Sequence, residues 1–451
     1  MKKPILILGI LLILILLAGT ACAEKTVVSF AKTSGAVTGG FTYTITMKAR
    51  KAPEQDLEIP LTCKETGESL VVKIPAGEKE GSAQYPTELA ERTHSVTFTA
   101  ESGEAYTVKP AAFSLKIIVL PKAKFYNALT FGYVGKTAMV NVVFSNPKAV
   151  IKGSTFQLRD QDGNVLDERT WNSGEGIHHF KVPVTKELAT KRLFSVWMGD
   201  YKISEKSGYG AFADMSTKAV RQVQTDQPLV AITLDCGWYG RQMPLILPVL
   251  KKYDVHCTFF MTGFFIRTFT KEAKDAIADG HEIANHTNFH PKMAKEKRKI
   301  NRLQQLAVPN KNAVELLGVR PRLFRPPYGD YDQELMALCR AEGMEIILWS
   351  VDSHDWDVRH GYDVEKVWKR VTRKIEPGYI ILFHLDGKPT PEVLDRLIPY
   401  IQDELGYKCV TVSELLASGG MELPPVIEEG TEEFYEEDTT PDVIPAGASE
   451  G

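Results

Sequence analysis

"AITLDCGW", residues 231–238, decides how the second half of this 451-residue chain folds. An apolar run leads into an acid, a thiol and a glycine, the pattern of a buried strand that ends at a loop. Downstream, short apolar runs alternate with helical patterns. The strands read as "CTFFMTG" (257–263), "HEIANH" (281–286), "RLFRPPYG" (322–329), "EIILWSVD" (345–352), "GYIILFHLDG" (378–387) and "YKCVTV" (407–412). Between them lie amphipathic stretches such as "TKEAKDAIADG" (270–280), "YDQELMALCRAEG" (331–343) and "DVEKVWKRVTRKI" (363–375). Strand then helix, repeated, predicts an α/β barrel or wound sheet over 227–417. In barrels the chemistry collects at the C-terminal ends of strands, so Asp235 and Cys236 stand where an active site is expected.

Working outward, the period upstream is two rather than 3.6. "GFTYTITMKA" (40–49) and "SVTFTAES" (95–102) alternate apolar with polar residues, and "MVNVVFSNP" (139–147), the turn signal Asp162-Gly163 and "RLFSVWMGD" (192–200) continue the pattern. Two small all-β immunoglobulin-like sandwiches are predicted, over 24–120 and 121–205, followed by a polar linker over 206–226. From 418 to 451 the chain is acidic, rich in Pro, Gly and Thr and without apolar periodicity, which predicts a disordered tail.

The first residues carry two lysines, an apolar run from Ile5 to Leu17 and the small-residue group Ala21-Cys22-Ala23, the plan of a secretory signal peptide spanning 1–23. Thirteen apolar residues fall short of the roughly 20 that span a bilayer. Gly19 stands where a lipoprotein signal carries leucine, so cleavage after Ala23 is favoured over lipid anchoring at Cys22. The expected location is secreted or cell-surface. Five cysteines then remain, an odd number without C-x-x-C spacing, which argues against a disulfide framework or zinc ribbon. Ten of the 57 acids and none of the 54 bases lie beyond Ala417, leaving a body of net charge +7. That bias suits an anionic wall polymer and makes no case for nucleic acid.

The unusual residues of the barrel segment gather at strand ends: Asp235 and Cys236, His286 and His290 in "NHTNFHP", Arg325 in "RPPYG", Asp352, Asp355 and Trp356 in "DSHDW", and His384 in "LFH". Two histidines four apart on one helical turn would project from one face and could share a metal. Alone, such a pair is weak evidence. In this order and company the residues resemble the NodB-type polysaccharide deacetylases, carbohydrate esterase family four: "TLDCG", "HTNFH", "RPPY", "DSHDW" and "LFH" answer its five motifs in sequence.

The resemblance implies a distorted (β/α)7 barrel and metal-assisted removal of acetyl groups from a polysaccharide. Asp235 would be the general base, and His384 the acid that protonates the leaving amine, a task suited to a group titrating near neutral pH. Arg325 would orient Asp235 and keep it ionised. One of Asp352 and Asp355, with Asp355 preferred, would pair with His384. Trp356 and Leu382 would wall a pocket for the acetyl methyl, and the backbone N–H of Tyr328 would help hold the oxyanion. His286 and His290 would hold a divalent metal.

The family's third ligand is an acid, and here that position is Cys236. Its thiolate could complete a Cys-His-His set favouring zinc. It could instead stay neutral beside a weakly held metal, or mark a catalytically impaired barrel. The expected function is N-deacetylation of a cell-envelope glycan, peptidoglycan first, with wall association. The alternatives are a deacetylase of chitin or extracellular polysaccharide, or a glycan-binding wall protein.

Overall fold

The structure, a computed structural model, describes residues 25–215 and 218–424, the side chains of 299 and 300 excepted. The expected signal peptide and the expected tail from 425 onward lie outside these residues. The start of that tail, 418–424, is corrected: Ser418 ends the helix Val412–Ser418, and Met421 and Leu423 pack against an apolar core. The chain divides into two compact units. One takes the chain up to Lys122 with 144–154 and 170–176, and the other takes the rest.

The first unit is built by alternation. In the strand Leu57–Cys63, Leu57, Ile59, Leu61 and Cys63 are buried while Glu58, Pro60 and Thr62 face water, as a pleat of period two requires. Phe30, Phe98 and Phe113 meet at the centre of the resulting core. Its nine strands follow one hydrogen-bonded path rather than two separate sheets. Parallel pairing of Thr26–Phe30 with Tyr106–Val108, and of Ser34–Thr38 with Ala112–Ile118, extends that path at both ends. Alternation fixes which face is buried but not which strands pair, so the pairing was not readable from the pattern.

The following β segment contributes a three-stranded and a six-stranded sheet. The six-stranded one corrects the expected linker. Gly208–Ala213, inside the 206–226 stretch, is a fully buried strand paired with Leu129–Tyr133 and Leu193–Met198. Gly208 permits close packing, because a Cβ there would lie 2.2 Å from the Phe194 ring. Val220 then bridges to Ile347 and Gln222 to Tyr379. Tyr209 and Ala211 share an apolar core with Leu335 and Leu338 of the helix Gln333–Ala341. A buried ion pair, Arg192 Nη1 to Glu342 Oε1 at 3.0 Å, ties the sheet to the end of that helix.

The remaining strands are parallel: β1 (Leu229–Cys236), β2 (Thr258–Met261), β3 (Glu282–Asn285), β4 (Leu323–Phe324), β5 (Glu345–Ile346), β6 (Val351–Asp352) and β7 (Ile380–His384). Their order is β5-β4-β3-β2-β1-β7-β6, and β8 (Lys408–Cys409) pairs with the start of β1. The two edges, β5 and β6, are the two ends of one run of chain, Glu345–Asp352, so that run closes the ring into a barrel-like domain. The two faces of β1 enter different cores. Ala231 joins Phe260, Ala284, Leu323 and Ile380, whereas Val230, Ile232, Leu234 and Cys236 join Ile246 and Leu250 of the helix Met243–Lys252.

Candidate active site

A cavity of about 400 Å³ opens at the carboxyl ends of the barrel strands. Asp235, His286, His290, Tyr328, Asp352, Trp356, Leu382 and His384, all expected from the sequence, line it. Trp238, Trp349 and Asp386, which sequence reasoning had not singled out, complete the wall. Trp349 lay in an apolar stretch indistinguishable from core, Trp238 follows "TLDCG" and Asp386 follows "LFH", each just outside its motif.

Asp235 ends β1 on its inner face and meets Arg325, which follows β4 and is fully buried. Arg325 Nη1 donates to Asp235 Oδ1 at 2.7 Å and to Thr233 Oγ1 at 2.9 Å, and Nη2 donates to the Leu348 carbonyl at 3.2 Å. The guanidinium lies over the Phe260 ring at 4.0 Å. Burial raises the Asp235 pKa, but the charge of Arg325, then the neighbouring His286 and His384 and the Arg325 hydrogen bond, together outweigh it and hold the carboxyl below its ordinary range. Asp235 is therefore ionised at neutral pH, an acceptor aimed into the cavity.

The "HTNFH" segment is a loop, not the helical turn expected. Thr287 and His290 both have left-handed backbones, with φ of 71° and 55°. Side chains rather than helical hydrogen bonds hold the loop: Asn285 Oδ1 accepts from Thr287 N at 2.8 Å, and Thr287 Oγ1 from His290 N at 2.9 Å. The two imidazoles are still brought together, with ring centroids 4.9 Å apart. His286 Nδ1 donates to the Arg325 carbonyl at 2.7 Å, which leaves the Nε2 lone pair facing Asp235 Oδ2 at 3.5 Å. Burial lowers the pKa of His286 and takes that of His290 to about 3, so both rings are neutral donors.

His384 ends β7 in register with Asp235. Of the two candidate acids, Asp355 is its partner: Asp355 Oδ1 accepts from His384 Nδ1 at 2.8 Å, and Oδ2 from the His384 backbone N at 2.9 Å. Asp352 also lines the cavity but accepts from the His354 backbone N at 3.0 Å instead. Burial disfavours the imidazolium, but Asp355, then Asp235 and Asp386, outweigh it and raise His384 to about 9. At neutral pH the ring is protonated, with Nε2 free to donate. Trp356, 48% exposed, stands edge-on to His384, and the buried Leu382 lines the same cavity. Tyr328 has a left-handed backbone, φ 62°, and its ring packs on His290.

Cys236 is the expectation that fails. It is fully buried and does not line the cavity; its Sγ lies 3.7 Å from the Leu234 carbonyl, inside the outer apolar core. Adjacent residues of a strand point to opposite faces, so Asp235 facing in turns Cys236 out. Burial pushes its thiol pKa well up, opposing the thiolate a metal would need. Among the described residues no three His, Cys, Asp or Glu side chains stand together as a metal-holding group. The residues thus fit the metal at His286 and His290 and do not fit it at the third position.

The chain is similar to several known proteins. The family model for polysaccharide deacetylase matches residues 222–347. A peptidoglycan-N-acetylglucosamine deacetylase of Bacillus cereus is 31% identical over 200 residues, 43% of this chain and 91% of the relative. The uncharacterised protein YlxY of Bacillus subtilis is 28% identical over 267 residues, 59% of this chain and 81% of its own. A solved CE4 family pseudoenzyme from Bacillus anthracis is 28% identical, covering 51% of this chain and 78% of that one, with a TM-score of 0.43. The chain belongs to the polysaccharide deacetylase family.

Proposed function

We infer that this protein is a secreted, metal-dependent deacetylase that hydrolyses N-acetyl groups of a cell-envelope glycan, with peptidoglycan the favoured substrate. The observation that carries this is the opposed pair at the cavity: an ionised Asp235 locked by Arg325, and a protonated His384 locked by Asp355. Relatives named as peptidoglycan deacetylases support the substrate class.

In the proposed reaction Asp235 takes a proton from water as the oxygen attacks the acetyl carbon. The Tyr328 backbone N–H is the candidate donor to the carbonyl oxygen as it gains charge. His384 Nε2 then gives its proton to the departing amine, releasing acetate and a free amino sugar. Trp356 and Leu382 confine the methyl group. A divalent ion, when bound, would polarise the carbonyl and acidify water, and His286 and His290 are the side chains available to hold it. With Cys236 turned away, the thiolate argument for zinc in particular lapses.

Acetate release from N-acetylglucosamine oligomers and from peptidoglycan tests the reading, with wild type beside Asp235→Asn and with divalent metals added. Release that depends on Asp235 supports it. The incomplete donor set favours a second reading, an impaired barrel that binds glycan without turnover. Binding without release under every metal would establish that reading and end the first.

A further inference from the structure

The Asp355 carboxylate is fully buried and answered by more donors than a two-residue dyad requires. Besides His384 Nδ1 and the His384 backbone N–H, it faces two hydroxyls. Ser353 Oγ lies 2.8 Å from Oδ1, and Thr390 Oγ1 makes a close hydrogen bond to Oδ2. Ser353 precedes Asp355 by two residues, and such a bond is common in turns. Thr390 comes from 35 residues further on, and a specific fold of the chain brings it there.

Two successive turns, Gly387 N to the His384 carbonyl at 3.1 Å and Thr390 N to the Gly387 carbonyl at 3.1 Å, fold "HLDGKPT" back on itself. Gly387 is where this fold touches the carboxylate. A Cβ there would lie 2.5 Å from Asp355 Oδ2 and 2.4 Å from Thr390 Oγ1, closer than any side chain can sit. Thr390 is fully buried and opens the helix Thr390–Pro399, so its position is set by a regular element rather than a loop tip.

We propose that Thr390, seconded by Ser353, is a positioning residue for the proton donor: its hydroxyl fixes the Asp355 carboxylate plane, and that plane fixes the tautomer and aim of His384. This rests on His384 being the acid of the deacetylation inferred above. Without Thr390, Oδ2 would keep only the His384 backbone N–H, a donor from the very residue that is being aimed. The Thr390 hydroxyl holds Oδ2 from a separate element, so the carboxylate plane stays set and the ring keeps Nδ1–H directed at Asp355 and Nε2–H at the leaving group.

The consequence is selective. An amine leaves only with a proton, whereas p-nitrophenolate leaves without one, so a misaimed acid impairs amide hydrolysis and spares an activated aryl ester. The test compares wild type, Thr390→Val and Thr390→Ser on an N-acetylglucosamine oligomer and on p-nitrophenyl acetate. Thr390→Val is expected to lose about tenfold or more of kcat on the oligomer at unchanged KM, with less than about threefold loss on the ester. Thr390→Ser is expected to restore the oligomer rate.

A second measurement needs no turnover: the low-field Nδ1–H proton resonance of His384, identified by its loss in His384→Ala, is expected in wild type and Thr390→Ser and broadened in Thr390→Val. Equal loss on both substrates, a full oligomer rate in Thr390→Val, or an unaltered resonance would each overturn the positioning role. Wild type that releases no acetate would instead remove the functional reading, while the resonance would still decide how Asp355 is held.

Discussion

Replacing Asp355 with asparagine should move the basic limb of the pH–rate profile by more than two pH units. The amide keeps the shape of the side chain and removes its charge. In the native site His384 is raised from 6.5 to about 9 although burial, the largest single influence, acts to lower it. The net rise corresponds to roughly 3 kcal/mol favouring the imidazolium. With the side chain at this position neutral, only the fields of Asp235 and Asp386 still oppose burial, and the pKa should fall to 6.5 or below. In the proposed reaction activity requires the protonated ring, so it is present below the pKa and lost above it. At pH 8 a ring of pKa 9 is about nine-tenths protonated and one of pKa 6.5 about 3%, a roughly 30-fold loss from protonation alone. At pH 6 the same comparison costs less than about twofold.

The same sign governs stability: the raised pKa contributes fully below about 6.5 and is lost as pH rises through about 9. The assay is kcat/KM for acetate release between about pH 5 and 10 in both proteins, reading the variant-to-wild-type ratio at pH 6 against pH 8. A ratio that does not change with pH, or a wild-type limb already near 6.5, would refute the reasoning.

Other consequences can be checked alongside. Arg325→Met leaves Asp235 buried without its cation and should lower unfolding stability by about 3–5 kcal/mol, the scale for breaking a buried pair, read by urea denaturation; a loss below about 1 kcal/mol would show that the pair is not the anchor it looks to be. Arg192→Met should cost a similar amount and lower the melting temperature of the unit that holds both partners, because it leaves the buried Glu342 without its cation and with only the Tyr209 hydroxyl as donor. Cobalt added to wild type should give no thiolate-to-metal absorption, and Cys236→Ala should keep both metal uptake and acetate release. A thiolate band that vanishes in Cys236→Ala would put the sulfur on the metal after all.

Most of the site was legible because it is carried by residue identity at strand ends. Asp235, Arg325, His384 and the imidazoles of His286 and His290 are costly residues to bury, and motif order alone located them. What escaped was orientation. Nothing in "LDCG" says which of two neighbours faces inward; that depends on where β1 sits between β2 and β7, a non-local property. The loop form of "HTNFH" escaped for a related reason, since H-x-x-x-H suits a helix equally well and only the hydroxyl of Thr287 and the amide of Asn285 select the left-handed turns. The strand Gly208–Ala213 was hidden by its glycines, which signal a linker by composition, yet Gly208 serves to admit the Phe194 ring and Gly210 the Phe212 ring. In the first unit the alternation read correctly as strands, and their pairing into one path rested on long-range closure that no local window contains.

The pairing of β1 with β7 sets Asp235 directly beside His384, with Leu385 N donating to the Asp235 carbonyl at 2.9 Å. The proposed proton acceptor and proton donor are therefore neighbouring rungs of one ladder, and their backbones are held at the interstrand spacing of about 4.8 Å. That gap is a lattice constant of the sheet, common to every parallel pair and indifferent to the loops above it. Trp238, which lines the cavity without a part in the proposed reaction, can be exchanged to admit a different sugar while the reach of the proton transfer stays the same. A change of substrate in this scaffold is thus a change of rim, made without retuning the reacting pair.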